Sequence, residues 1–160
     1  MIRPVSVADA AAIAAIYNPY IEQTAISFEE TPVSLSDMEA RIRTIGAEYP
    51  YFVWEENNEV LGYAYLSKWK ERIAYRFAVE DSVYIKMGHE RKGIGAALLT
   101  RLIDEARGRS LHTMVAVITV PNEGSVGLHE KLGFRRSGQL DEIGFKLGNW
   151  LDVGYWELLL

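Results

Sequence analysis

The segment His89-Glu90-Arg91-Lys92-Gly93-Ile94-Gly95-Ala96-Ala97 sets a basic pair and two glycines between an apolar run, Ser82 to Lys86, and an amphipathic stretch beginning near Gly93. Glycines let a turn bring consecutive backbone N–H groups against an anion. The first turn of a helix leaves its N–H groups unpaired, and the helix dipole adds partial positive charge. Arg91 and Lys92 add full charges, so the segment suits a diphosphate; a plain strand-to-helix turn with surface bases is the alternative. Neither Gly-Lys-Ser/Thr nor Gly-x-Gly-x-x-Gly follows, which disfavours a nucleoside triphosphate or a dinucleotide.

A second constellation lies just upstream. Strand alternation puts Arg76, Ala78, Glu80, Ser82 and Tyr84 on one face and Phe77, Val79, Val83 and Ile85 on the other. Helical segments lie on both sides in sequence, so both faces are expected to be covered, and a covered face bearing these polar groups reads as the wall of a cleft. There Glu80 is a candidate general base, because desolvation moves a carboxylate toward neutrality, as proton abstraction from an ammonium group requires. Arg76 on the same face opposes that shift, and an Arg76–Glu80 ion pair that merely holds the strand is the alternative. Lys70, Arg72 and Arg76 are positioned to grip a small carboxylate, unless they form an ordinary exposed cationic loop.

The elements that would hold these groups follow from periodicity. Ile2 to Val5 reads as a short strand and Val7 to Gln23 as helix, with a break at Asn18-Pro19. Ser36-Asp37-Met38-Glu39 has the form of a capping box opening a second helix with Met38, Ile42 and Ile45 on one face. Tyr51 to Glu55 and Val60 to Trp69 form a hairpin around Glu56–Glu59, and Phe77 to Lys86 is a third strand. A helix with Leu98, Leu99, Leu102, Ile103 and Ala106 follows, then a strand Met114 to Thr119, a helix Gly124 to Lys131, and strands near Phe134 to Gln139 and Leu151 to Leu159. Ser67 to Tyr75 and Leu140 to Asn149 are the long irregular stretches, and so candidates for substrate contact.

Composition narrows the function classes. A chain of 160 residues accommodates one well-buried core, and residues 1–160 read as a single domain. Seventeen Lys and Arg against 22 Asp and Glu give a net charge of −5, so no basic field draws the protein to nucleic acid or an anionic membrane. There is no cysteine, hence no disulfide framework or thiolate nucleophile, and the histidines at 89, 112 and 129 are scattered, so no metal site is expected. The N-terminus is neither a secretory signal nor a membrane span, and the expected location is the cytoplasm.

These segments, with Val115 to Asn122, Ser125 to Phe134, Ile16-Tyr17-Asn18, Phe28 with Glu30-Thr31-Pro32, Glu80 to Ile85, and Gly144 to Trp150 with Asp152-Val153-Gly154, resemble the GNAT superfamily of acetyl-CoA-dependent N-acetyltransferases. Within it the chain is similar to the phosphinothricin and methionine sulfoximine N-acetyltransferase group. The resemblance implies an α/β (α+β) fold with a mixed, mostly antiparallel central sheet splayed open at the acetyl-CoA site and helices on both faces. It implies that backbone atoms of Val83, Tyr84 and Ile85 meet the pantetheine arm, that Arg91, Lys92, Gly93, Ile94, Gly95 and Ala96 cradle the diphosphate, and that Asn122 and Ser125 touch the cofactor farther along. At Glu90 the sequence departs from the Gln/Arg usual at that position of the family's phosphate loop.

The same resemblance implies direct transfer from acetyl-CoA, with Glu80 as general base, a backbone N–H near Tyr84 meeting the oxyanion, and His129 or Tyr84 protonating the departing thiolate. The acceptor is then an amino-acid-like small molecule whose α-amine is acetylated, bound by Arg72 and Arg76, with Phe28, Tyr75, Val117 and Thr119 lining its pocket. His89 and His112 read as ordinary surface or packing histidines, and Trp69, Trp150 and Trp156 as packing residues. A homodimer is implied, with Trp150 to Trp156 involved. Rival readings are acetylation of another amine or a protein N-terminus, and a non-catalytic acyl-CoA-binding module; the latter has no need of Glu80.

Overall fold

The computed structural model describes residues 1–160 and contains one seven-stranded sheet of order β1-β2-β3-β4-β5-β7-β6. In chain order the elements are β1 (Ile2–Pro4), α1 (Ala10–Gln23), α2 (Leu35–Glu48), β2 (Tyr51–Glu56), β3 (Glu59–Lys68), β4 (Ala78–Ile85), α3 (Ile94–Gly108), β5 (Thr113–Val120), α4 (Glu123–Lys131), β6 (Arg135–Lys146) and β7 (Asn149–Leu159). All neighbouring strands pair antiparallel except β4 and β5, which run parallel. The sheet is therefore mixed, mostly antiparallel and open, as expected.

Strand alternation divides the apolar side chains between the two faces. On one face α1 and α2 bury Ile13, Ile16, Ile21, Met38 and Ile42 against Tyr51, Val53 and Tyr63. On the other, the Leu98, Leu99, Leu102 and Ala106 stripe of α3 packs on Phe52, Leu66, Val79, Met114 and Trp156. No helix is long and apolar enough to cross a membrane.

Several expected boundaries move for identifiable reasons. Ser34, not Ser36, caps α2, its hydroxyl accepting from the Asp37 N–H at 3.2 Å. The reciprocal capping box occurs instead at Ser6 and Asp9, ahead of α1. Pro19 lies inside α1 without ending it. Asn18 is drawn into a tertiary role, its side-chain amide exchanging hydrogen bonds with both backbone groups of Val33. The supposed loop Leu140 to Asn149 is mostly strand: β6 continues to Lys146 and turns at Leu147-Gly148 into β7. A register irregularity between Leu140 and Gly144, with Glu142 at φ 51°, produced the turn-like composition there. This long hairpin leaves Trp150 64% exposed rather than packed, whereas Trp156 is buried and donates from Nε1 to Glu130.

β4 and β5 pair only from Ala78↔Thr113 to Glu80↔Val115, and beyond Glu80 the two strands part. β4 remains hydrogen-bonded to β3 along its length and β5 to β7, so the separation opens a wedge inside the sheet. From Asp81 onward, the β4 edge facing β5 has no strand partner. Each strand edge carries backbone donors and acceptors that an extended ligand can satisfy.

Candidate active site

A cavity of about 470 Å³ fills this wedge, lined by Glu80 to Tyr84 of β4, Ala116 to Thr119 of β5, Asn122, Ser125 and His129 around α4, and Tyr17 with Ile26 to Glu29. The geometry brings together the predicted residues Phe28, Glu80, Val83, Tyr84, Val117, Thr119, Asn122, Ser125 and His129. Arg72, Tyr75 and Arg76 do not line it; they are exposed in and beside the 3-10 turn Ile73–Tyr75. Ile85 and the glycine-turn residues also lie outside the cavity wall.

Two local expectations fail at Arg76. It has helical backbone (φ −59°, ψ −19°) and precedes the strand, so it does not share a pleated face with Glu80. Its guanidinium lies 4.4 Å from the Phe77 ring centroid and donates to the Ile73 carbonyl, and no Arg76–Glu80 ion pair forms. Phe77's apolar character had extended the apparent strand by a residue, because an exposed aromatic beside a cation reads like a β position.

Glu80 is thereby left without a cationic partner in contact. Its carboxyl is pushed up to about 7, first by burial, then by the neighbouring Asp81 charge, with Lys70 opposing weakly. Tyr84 is packed edge-on against Tyr17 and Tyr20, at 4.9 Å and 5.4 Å between ring centroids, and burial holds its hydroxyl well above the usual tyrosine range. It keeps its proton throughout the neutral range.

His129 is 4% exposed, and both its ring nitrogens are engaged. Nδ1 lies 2.7 Å from the Ser125 carbonyl, and Nε2 2.9 Å from Asp81 Oδ2. A carbonyl only accepts, so Nδ1 carries a hydrogen; it cannot then act as a base toward the Ser125 hydroxyl 3.4 Å away. The Ser125-His129-Asp81 set is therefore not a nucleophilic triad. Burial opposes charge on the imidazole most strongly, but the Asp81 hydrogen bond and charge override it and raise its pKa above the ordinary value.

Asp81 holds a place that the sequence pattern assigns no role, although one signal marks it. It interrupts the otherwise apolar Val79, Val83, Ile85 face, and a carboxylate there needs a partner from another element. The other residues missed form a strap between α1 and α2. Ser27 Oγ is 2.8 Å from the Tyr17 hydroxyl, and Glu29 accepts from Tyr17 and from both terminal nitrogens of Arg41. Buried Lys146 donates to the Ser27 carbonyl at 2.5 Å, and the Phe28 ring occupies the space beside Gly144.

At the mouth of the wedge, Gly93 adopts φ 84° and precedes α3, whose first N–H groups have no side-chain cap. Glu90 is turned away from this role, its carboxylate accepting from the Gly88 N–H at 2.8 Å. The departure at Glu90 thus serves the loop's own geometry and leaves the helix amides open to an anion. Gly95 has a packing reason, since a Cβ there would lie 3.3 Å from the Leu128 side chain. Asn122 accepts from the Ser125 N–H at 3.1 Å, so its side-chain oxygen serves as the cap of α4 while the residue lines the cavity. The uncapped amides and the free β4 edge fit an extended ligand ending in a diphosphate.

Comparison with known proteins agrees with this geometry. The model of the Acetyltransferase (GNAT) family matches residues 13–134. An L-methionine sulfoximine/L-methionine sulfone acetyltransferase of Pseudomonas aeruginosa is 42% identical, the match covering 99% of this chain and 94% of that protein. Among solved structures, a GNAT superfamily phosphinothricin acetyltransferase from Sinorhizobium meliloti, in complex with acetyl-CoA, is 40% identical with a TM-score of 0.96, covering 100% of this chain and 88% of that one. A ribosomal-protein-alanine N-acetyltransferase from Brucella melitensis is 35% identical with a TM-score of 0.98, covering 100% and 99%.

Proposed function

The chain belongs to the GNAT acetyltransferase family, and from that premise we propose that this acetyl-CoA-dependent acyltransferase acetylates the α-amine of a small amino-acid analogue by direct transfer, with Glu80 as general base. The observation that carries the reading is Glu80 itself, a carboxyl with a pKa of about 7 in the wall of the wedge where β4 and β5 part. A binding module has no use for such a group. Acetyl-CoA supplies an activated acetyl thioester; the residues that would hold it are Val83, Tyr84 and Ile85 along the free edge, Arg91 to Ala96 at the helix amides, and Asn122 and Ser125 at the head of α4.

Glu80 accepts a proton from the incoming ammonium, directly or through water, which frees the lone pair that forms the new N–C bond. A backbone N–H near Tyr84 meets the carbonyl oxygen as charge gathers there. When the C–S bond breaks, the second proton of the new C–N nitrogen passes to solvent and His129 or Tyr84 supplies a proton to sulfur. Each proton-transfer group contributes about 10²- to 10⁴-fold to the rate.

A small acceptor is favoured by the cavity's size and by its apolar walls at Phe28 and Val117, with Thr119 beside them; Tyr75 lies outside that wall, and only the family resemblance makes it a candidate. Neither Arg72 nor Arg76 forms an ion pair with an acid, so both remain candidates to meet the acceptor's carboxylate, phosphinyl or sulfonyl oxygens. The similarity to a ribosomal-protein-alanine N-acetyltransferase keeps a protein N-terminus as the second reading. An acceptor panel separates them: CoA release should show kcat/KM for methionine sulfone, methionine sulfoximine or phosphinothricin at least about tenfold above that for an alanine-initiated peptide, a gap within the discrimination one pocket contact provides. The reverse order would select the protein substrate.

Residues 1–160 act in this proposal as one domain, paired in a homodimer. Support comes from the β6–β7 hairpin, whose Ile143, Phe145, Leu147 and Trp150 are each more than half exposed, an apolar patch of the kind that marks association surfaces. Sedimentation velocity at micromolar concentration should give a boundary at twice the mass of the 18.1 kDa chain; a monomer at all concentrations would exclude the pairing.

A further inference from the structure

We propose that Asp81 is a positioning residue for the transfer step: its carboxylate locks the His129 imidazole in place with both ring nitrogens protonated, so that a fixed cation in the cavity wall stabilises the departing thiolate. The inference rests on the transfer mechanism above and adds a residue to it.

Glu80 and Asp81 are consecutive on β4, so their side chains leave opposite faces of the strand. Both reach the cavity because the wedge opens through the sheet at this point. Glu80 shares its face with Tyr84 and the α1 side of the sheet, while Asp81 meets α4 on the other, 48 positions away in sequence. One dipeptide therefore supplies a base to one side of the wedge and secures a charged imidazole on the other.

The imidazole is fixed from three directions. The Ser125 carbonyl takes the Nδ1 hydrogen, Asp81 Oδ2 faces Nε2, and the Phe134 ring lies edge-on with centroids 5.0 Å apart. A carboxylate oxygen and a bare ring nitrogen, both acceptors, would repel at 2.9 Å, so a second proton lies between them. The other charged groups near the ring do not compete for it. On α4, the Glu130 carboxylate accepts from Trp156 Nε1 of β7 and Lys131 is exposed; β5 presents only Ala116, Val117, Ile118 and Thr119 to the cavity; on β4 the remaining ionisable groups are Glu80 and Tyr84, and Tyr84 keeps its proton between Tyr17 and Tyr20.

A purely structural role explains the pair poorly. Asp81 is 7% exposed and its second oxygen, Oδ1, has no hydrogen-bond partner. Apolar residues of similar volume commonly hold such a place as well as or better than a buried pair does. The Asp81 carboxylate instead spends its charge where it matters chemically, favouring the proton on His129 and lifting Glu80.

Asp81→Asn keeps the shape and removes the charge. Its kcat should fall about ten- to a hundredfold, with the KM for acetyl-CoA within twofold, and both limbs of the pH–rate profile should move to lower pH. Long-range ¹H–¹⁵N spectra of the imidazoles, recorded on the resting protein at pH 7.5, should show His129 doubly protonated in the wild type and a single neutral tautomer in Asp81→Asn. An unchanged His129 signal in the variant, or a changed signal with wild-type kcat, overturns the proposal. Should the variant not fold, the wild-type spectrum decides, and a neutral His129 there rejects it. Failure of the transfer mechanism would show separately, as full turnover in Glu80→Gln with His129 still charged.

Discussion

Glu80→Gln should lose at least about a hundredfold in kcat with methionine sulfone, as expected for removal of a general base, and should nonetheless be harder to unfold than the wild type above pH 7. Both effects come from the same carboxyl. As a base it must be ionised, so the wild-type rate should carry an ascending limb with a midpoint near pH 7, set by the raised Glu80 pKa, and that limb should vanish in the glutamine variant. Affinity for acetyl-CoA should change little, because the predicted cofactor contacts lie along the free β4 edge and at the α3 amides. Turnover at the wild-type level would remove Glu80 from the chemistry.

The stability effect follows from proton linkage. Below the ordinary carboxyl value of 4.5, Glu80 is protonated in both folded and unfolded chains and contributes no difference. Between 4.5 and about 7 the unfolded chain releases its proton while the folded one retains it, so stability falls as pH rises, and the loss stays constant above about 7. At 1.36 kcal/mol per pH unit the ceiling is about 3 kcal/mol, and partial access to solvent reduces this to roughly 1–2 kcal/mol. Glutamine carries no such penalty. Thermal melts should therefore place the variant about 2–6 °C above wild type at pH 8 and converge with it near pH 4.5. Coinciding melts at pH 8 would show that the site holds the ionised carboxyl without strain.

Much of this architecture was legible because it is local. The β4 alternation marked Glu80, the apolar stripe marked α3, and the glycines announced the turn whose φ of 84° at Gly93 an L side chain rarely adopts. What escaped depends on distance along the chain. Nothing within Ile26 to Glu29 reveals that Lys146, 119 positions later, donates to Ser27. The pairing of Asp81 with His129 likewise exists only once α4 has docked beside β4. Arg76 shows the converse failure: a periodic pattern was extended one step past the point where the backbone turns helical. The hairpin strands look shorter in the sequence for a related reason, since Asp141 and Glu142 form an unpaired irregularity inside β6 and Gly144, though paired with Leu151, has the composition of a loop.

On the proposal that Phe28 lines the acceptor pocket, acceptor binding should depend on a residue outside the cavity. Gly144 sits on β6 with ordinary backbone angles, so alanine there adds no conformational strain. Its Cβ would, however, lie 2.6 Å from Cζ of Phe28, inside contact distance. The ring is the free end of a side chain 45% exposed, so it can rotate out of the way and the fold survives. The strap itself stays tied by Lys146 at Ser27, by Tyr17 and Arg41 at Glu29, and by Asn18 at Val33. Gly144→Ala should therefore displace Phe28 alone from the cavity wall. Losing the apolar contact of one aromatic side chain is worth about 1–3 kcal/mol, so the acceptor KM should rise about tenfold or more while the KM for acetyl-CoA and the melting temperature hold. Equal rises in both constants would mean that the strap moves as a whole, and no rise in either would show that Phe28 does not meet the acceptor.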